Sequence, residues 1–308
     1  MRAGLPRRAA LPAVAAALAA PSLLRAQAPP PLVVASFSIL GDMVRRIAGD
    51  GAVALRVLAG PDTDAHAFQP RPSDAEAVRG AALLVRNGLG FEPWLDRLLR
   101  SAGRTGLVVT ASEGIEALPA APDRDGAGAG APDPHAWQDV GRARRYALRI
   151  GEGLAAAAPA RAAAWRAGAA AYAARLEELD RQVRARIAEV PPERRIAVTS
   201  HAAFGYFGAA YGVRFLAPQG IAAGAQPSAQ QVAALVRRMR EDRITAVFSD
   251  GPGNQTLVER LAREAGVRPR GRLYADTLSA PDGPAPDYEA MQRHNAALLA
   301  AGMRDAAA

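Results

Sequence analysis

The chain has 308 residues, half of them hydrophobic and 22% charged, with no cysteine. Such a composition allows a sizeable core and argues against wholesale disorder, while disulfides, thiolate metal sites, a thiol nucleophile and a lipid-bearing cysteine are excluded. The formal net charge is +8, but residues 1–28 hold four arginines and no acid, so the other 34 arginines against 30 acids leave only +4.

No dense basic run interleaved with aromatics occurs, and a nucleic-acid partner is not expected. Every basic residue is arginine, so Schiff-base lysine chemistry and the lysine of a phosphate-binding P-loop are excluded as well.

Residues 1–28 read as an export signal: a short basic region, an apolar stretch and then Ala26-Gln27-Ala28. The apolar stretch is shorter than the ~18 residues of a membrane span and is broken by Pro12 and Pro21. Arg7-Arg8 is compatible with a twin-arginine route. The mature protein is expected in a bacterial periplasm, as a monomer.

Residues 32–36 (LVVAS) form a short apolar strand, followed by helical spacing over 39–48. Residues 54–58 are a second strand, ending at Gly60-Pro61. A helix starts at Ser73, with Glu76 in the capping-box position. Residues 82–86 and 107–110 are two more strands, with NGLGFEPW and a helix through Leu99 between them. This alternation predicts a mainly parallel sheet flanked by helices.

After the glycine-rich stretch DRDGAGAGAPDP, helical spacing covers residues 141–157. Pro159 then opens a helix running to about residue 189, long enough to bridge two lobes, which Pro191-Pro192 stops. A second α/β unit follows. Its predicted strands are 196–199, 213–216, 246–249 and 272–274, with helices over 203–211, 229–240, 256–265 and 288–303. The expected organisation is therefore a signal over 1–28, an N-terminal lobe over 29–158, a linking helix over 159–190 and a C-terminal lobe over 191–308.

The chain has four histidines. His66 follows the second strand, His135 follows the fourth, and His201 follows the first strand of the second lobe. Asp276 follows the last strand. Ligands of open α/β sheets gather at the carboxyl ends of strands. Three imidazoles and one carboxylate from such ends would complete a tetrahedral zinc shell. Asp64 and Asp133 read as turn-forming or ligand-orienting groups. His294, in the polar helix MQRHNAALL, reads as a non-ligand.

The stretches SFSILGDMVRRIAGD, GPDTDAHAFQPRPSD, DPHAWQDV, SHAAFGYFGAAYGV, LAPQG with QPSAQQVAAL, and LYADTLS occur in an order that resembles one family across nearly all of residues 32–303. That family is the cluster A-I substrate-binding proteins of ABC transporters, which serve periplasmic zinc and manganese uptake. The resemblance implies two α/β lobes, a rigid backbone helix and one metal ion in the cleft between them. It places the metal ligands at His66, His135, His201 and Asp276. It also implies an ABC-transporter permease as partner. The long helix should limit hinge motion, so small lobe tilts and loop ordering are expected, mostly on the His135 side.

Two departures stand out. Many relatives have glutamate where this chain has Asp250. The loop before His135 lacks the histidine-rich insertion of many zinc-specific relatives. His201 stands where manganese-type members usually carry a carboxylate. Three nitrogen donors favour Zn(II) over the harder Mn(II), so zinc is the expected cargo and manganese or iron the alternative.

Two other functional classes could also use such a site. A secreted zinc hydrolase would need an open coordination position and a general base, and neither an HExxH pair nor a GxSxG elbow occurs. No enzymatic activity is expected. An adhesin-like surface protein with a structural metal is the third class.

Overall fold

The computed structural model describes residues 29–304 apart from 105, 121–129, 221–226, 252 and 254. The expected export signal and much of the glycine-rich stretch lie outside the described residues.

Four strands build the first sheet: β1 (Leu32–Phe37), β2 (Ala54–Ala59), β3 (Leu83–Arg86) and β4 (Leu107–Thr110). They are all parallel, in the order β2-β1-β3-β4. Side chains alternate between the two faces. Val33, Ala35, Phe37, Leu83 and Val85 point into the main core, and Val34, Leu58 and Leu84 into a second one. The main core is closed by helices α1 (Ser38–Ala48) and α4 (Val140–Ala157). The second is closed by α2 (Pro72–Gly80) and α3 (Leu95–Ser101).

The expected Ser73 cap is displaced. Helix α2 begins at Pro72, whose missing N–H costs nothing in the first turn. Asp74, not Glu76, closes the turn by accepting from the Arg71 N–H at 2.9 Å.

Pro159–Arg161 form a 3-10 turn, and the long helix α5 (Ala162–Ala188) follows. Its 27 residues span about 40 Å at 1.5 Å per residue. Trp165, Ala169, Tyr172, Leu176, Leu179, Val183 and Ile187 form one buried stripe at three- and four-residue spacing. That stripe packs on α1, α4 and the last helix, α9 (Tyr288–Arg304), so one core runs through both lobes. Gly168 is obligatory for this approach, because a Cβ there would collide with the Ile47 carbonyl oxygen of α1.

The second lobe holds β5 (Ile196–Val198), α6 (Gly205–Tyr211), β6 (Arg214–Leu216), α7 (Ala229–Glu241) and α8 (Gln255–Ala265). Ser228 caps α7 in a reciprocal capping box with Gln231. Strands β5 and β6 pair in parallel. The predicted strands at 246–249 and 272–274 survive only as single parallel bridges, Val198 to Val247 and Ser249 to Arg272. Pro269 has no donor, and Gly271 takes φ +129°, which interrupts the extended run. The backbone bonds Phe248 N–H to Val198 C=O and Leu273 N–H to Ser249 C=O still carry the sheet across. Among the described residues no helix is long and apolar enough to cross a membrane.

Candidate metal centre

The carboxyl ends of both sheets face one another, and four segments leave them toward the cleft. His66 follows β2, where Asp64 Oδ1 accepts from the His66 and Ala67 N–H groups at 2.9 and 3.3 Å. His135 sits before a 3-10 turn, Ala136–Gln138, that leads into α4. His201 lies three residues past β5. Asp276 follows the segment that bridges to Ser249.

The structure brings all four together: one ligand-type atom from each of His66, His135, His201 and Asp276 lies within 4.8 Å of the others. Asp276 Oδ2 is 3.0 Å from His201 Nε2 and 3.5 Å from His66 Nε2. Asp276 Oδ1 is 3.4 Å from His135 Nε2, and the Nε2 atoms of His66 and His135 are 3.3 Å apart. Donors about 2.0–2.1 Å from a tetrahedral zinc stand roughly 3.3 Å apart, close to this spacing. His135 and His201 are fully buried, whereas the side chains of His66 and Asp276 keep 8% and 11% exposure. Solvent therefore reaches the centre beside that pair.

Two imidazoles are oriented from behind by carboxylates. Asp133 Oδ1 accepts from the His135 N–H at 2.9 Å and lies 2.7 Å from His135 Nδ1. Asp250, fully buried, accepts from the Ser200 hydroxyl and from the His201 N–H. Its Oδ2 is 3.1 Å from His201 Nδ1, without the alignment of a full hydrogen bond. Carboxylates at Nδ1 keep that nitrogen protonated and turn the Nε2 lone pair toward the centre. The shorter side chain at position 250 thus still reaches its histidine.

Electrostatics follow from this crowding. Burial works against a charge on His201, but Asp250 and Asp276 outweigh it and hold the imidazole well above its usual range. Burial likewise opposes the Asp276 charge, yet His201 and His135 pull its carboxyl well below the usual range. His201 and Asp276 thus form an ion pair, and a cation bound at His201 Nε2 would have to displace its proton.

Two elements that the sequence did not single out hold the site. Glu92, buried in NGLGFEPW, accepts from the Ser36 hydroxyl and from the Asn87 and Gly88 N–H groups. Asn87 in turn donates to the Pro134 carbonyl, next to His135. A buried acid between Phe91 and Pro93-Trp94 was the available signal. Phe91 packs edge-on against His66, with centroids 4.4 Å apart, and Trp137 donates across the cleft to the Ala275 carbonyl at 3.0 Å. The fourth histidine, His294, lies elsewhere, with Nε2 2.9 Å from the Arg272 carbonyl.

Comparison with known proteins agrees with this architecture. The iron-binding protein YfeA of Yersinia pestis is 35% identical over 257 residues, 83% of this chain and 81% of that protein. The manganese-binding lipoprotein MntA of Halalkalibacterium halodurans is 33% identical, over 88% of each chain. The structure of the periplasmic zinc binding protein TroA from Treponema pallidum superposes with a TM-score of 0.82 at 29% identity, covering 89% of this chain and 99% of that one. A family model for the periplasmic component A of zinc-uptake complexes matches residues 33–302, and the chain belongs to that family, ZnuA.

Proposed function

We propose that this protein captures a divalent transition metal outside the cytoplasm and passes it to an ABC-transporter permease, with Zn(II) as the cargo. The observation that carries this reading is the convergence of three imidazole Nε2 atoms and the Asp276 carboxylate at 3.0–3.5 Å spacing. His66 and His135 come from one lobe, His201 and Asp276 from the other, so the ion cross-links both. In this reading residues 1–28 address the chain for export, 29–158 and 191–308 are the lobes, and 159–190 is the backbone between them. The protein acts as a monomer and as a carrier, with Asp276 filling the position that a hydrolase would keep for water.

Capture begins with loss of the His201 proton, and Asp133 and Asp250 keep the imidazole tautomers ready. Tight inter-lobe bonds limit closure to small movements. Tyr288 donates to the Trp137 carbonyl at 2.6 Å, and the Leu278 N–H donates to Ser38 Oγ at 3.0 Å.

Manganese or iron is the second reading, favoured by relatives named for those metals. Three nitrogen donors argue for zinc. The test is a melting curve of chelator-stripped protein with each metal at equal free concentration. Zinc at a thousandfold excess over Kd contributes about 4 kcal/mol, a rise of roughly 10 °C for a chain of this size. A larger shift with manganese or iron would transfer the assignment to that metal.

A further inference from the structure

Arg272 Nη2 donates to Asp62 Oδ1 at 2.7 Å, an ion pair between the lobes with side chains 34% and 42% exposed. Each partner sits four residues before a residue of the metal centre, His66 on one side and Asp276 on the other. The pair is not isolated. The Asp62 N–H donates to the Leu278 carbonyl at 3.1 Å, and Thr277 Oγ1, which donates to that same carbonyl at 3.1 Å, lies 3.4 Å from the Gly60 carbonyl oxygen. The Arg272 guanidinium lies 4.6 Å over the Tyr274 ring, so its plane is set before it meets the carboxylate.

Asp62 takes φ +53°. In that left-handed region glycine is the least strained residue, and aspartate is tolerated through its short polar side chain. The strain is retained at the one turn position where a carboxylate meets Arg272. His66 and Asp276 are also the centre's two solvent-touching residues. Separating these loops is therefore the shortest way for an ion to leave.

We propose that Asp62 and Arg272 form an electrostatic clasp that holds the His66 loop against the Asp276 loop and sets the rate of metal exchange. The metal part of this inference rests on the function proposed above. The clasp retards release without touching the ion, so both are positioning residues.

The experiment uses Asp62→Asn, which keeps the side-chain shape and tolerates the left-handed backbone, Arg272→Gln, and the double variant. Release of Zn(II) into excess chelator is followed by stopped flow at low and high salt. Amide exchange of residues 60–66 is measured by mass spectrometry on metal-free protein. Each single variant should release zinc about two- to five-fold faster, the range expected for one exposed ion pair. The double variant should be no faster than the singles, because both remove one interaction. Added salt should speed release from the unmodified protein and leave the variants unmoved. Exchange over residues 60–66 should rise in all three variants.

Unchanged release with unchanged exchange would overturn the clasp, as would additive effects in the double variant. If the unmodified protein holds no zinc, the metal reading fails instead. The exchange comparison then decides the clasp alone, with faster exchange supporting it and equal exchange overturning it.

Discussion

Replacing Asp250 with Asn separates support of a ligand from support of the fold. The carboxylate is fully buried and accepts hydrogen bonds from the Ser200 hydroxyl and the His201 N–H, with His201 Nδ1 3.1 Å from Oδ2. An amide of the same shape offers one acceptor and one donor. Its NH2 group can face the Ser200 hydroxyl, leaving Oδ1 for His201, or the reverse, which sets donor against donor. A buried donor left unpaired costs about 1–3 kcal/mol, so metal-free protein should melt roughly 2–12 °C lower. Loss of the anion behind Nδ1 also makes Nε2 a weaker donor. Zinc affinity should fall about 10–100-fold, the usual effect of losing a group behind a ligating histidine. That corresponds to about 1.4–2.7 kcal/mol of binding. Asp250 also raises the His201 pKa, so its removal relieves proton competition. The affinity deficit should therefore be widest at pH 8.5 and narrower at pH 6.5. Competition titration against a chelating dye at both values reads this out, with circular dichroism for stability. A lower melting temperature with unchanged zinc affinity at pH 8.5 would refute the reasoning and leave Asp250 as a purely structural acid.

Three further outcomes are expected. His201→Ala should weaken zinc binding at least 10-fold, since it removes a donor where even supporting groups cost about that much; His294→Ala, outside the centre, should bind zinc normally in the same titration. The raised His201 pKa stabilises metal-free protein fully below the unfolded value, about 6.5, and that contribution is lost as pH rises through the folded pKa. The depressed Asp276 pKa contributes above about 3.9 and is lost as pH falls through its folded value. Zinc displaces the His201 proton, so the zinc-induced melting shift should grow from pH 6 to 8, and calorimetry in buffers of different ionisation enthalpy should detect proton release; a shift independent of pH would contradict the ion pair. Gly168→Ala should destabilise the fold by about 1–3 kcal/mol, because a methyl group there strikes the Ile47 carbonyl of α1. Thermal melting should show this with zinc affinity retained, and an unchanged melting temperature would mean that α1 and α5 pack less closely.

The continuous apolar run of β1, buried on both faces, the proline and glycine punctuation and the stripe of α5 are local patterns, legible in the amino-acid order alone. The four candidate ligands could be picked out as a set, because strand ends are legible from short apolar runs and only four histidines exist to be placed; their convergence is what the fold adds. Positions that depend on partners distant in the chain were decided by tertiary structure. Strands expected at 246–249 and 272–274 shrank to single bridges, since pairing depends on neighbours brought by the fold and on the bend at Gly271. The start of α2 moved because Asp74 found the Arg71 N–H. Glu92 and Asn87 gained their importance from Ser36, Gly88 and Pro134, which a linear reading does not set beside one another. Neither the charge of His201 nor the meeting of Asp62 with Arg272, 210 residues apart, follows from residue type. Both arise because closing two sheets against each other brings charges far apart in the chain within a few ångströms; at His201 water is removed as well, and there burial and Coulomb energy compete.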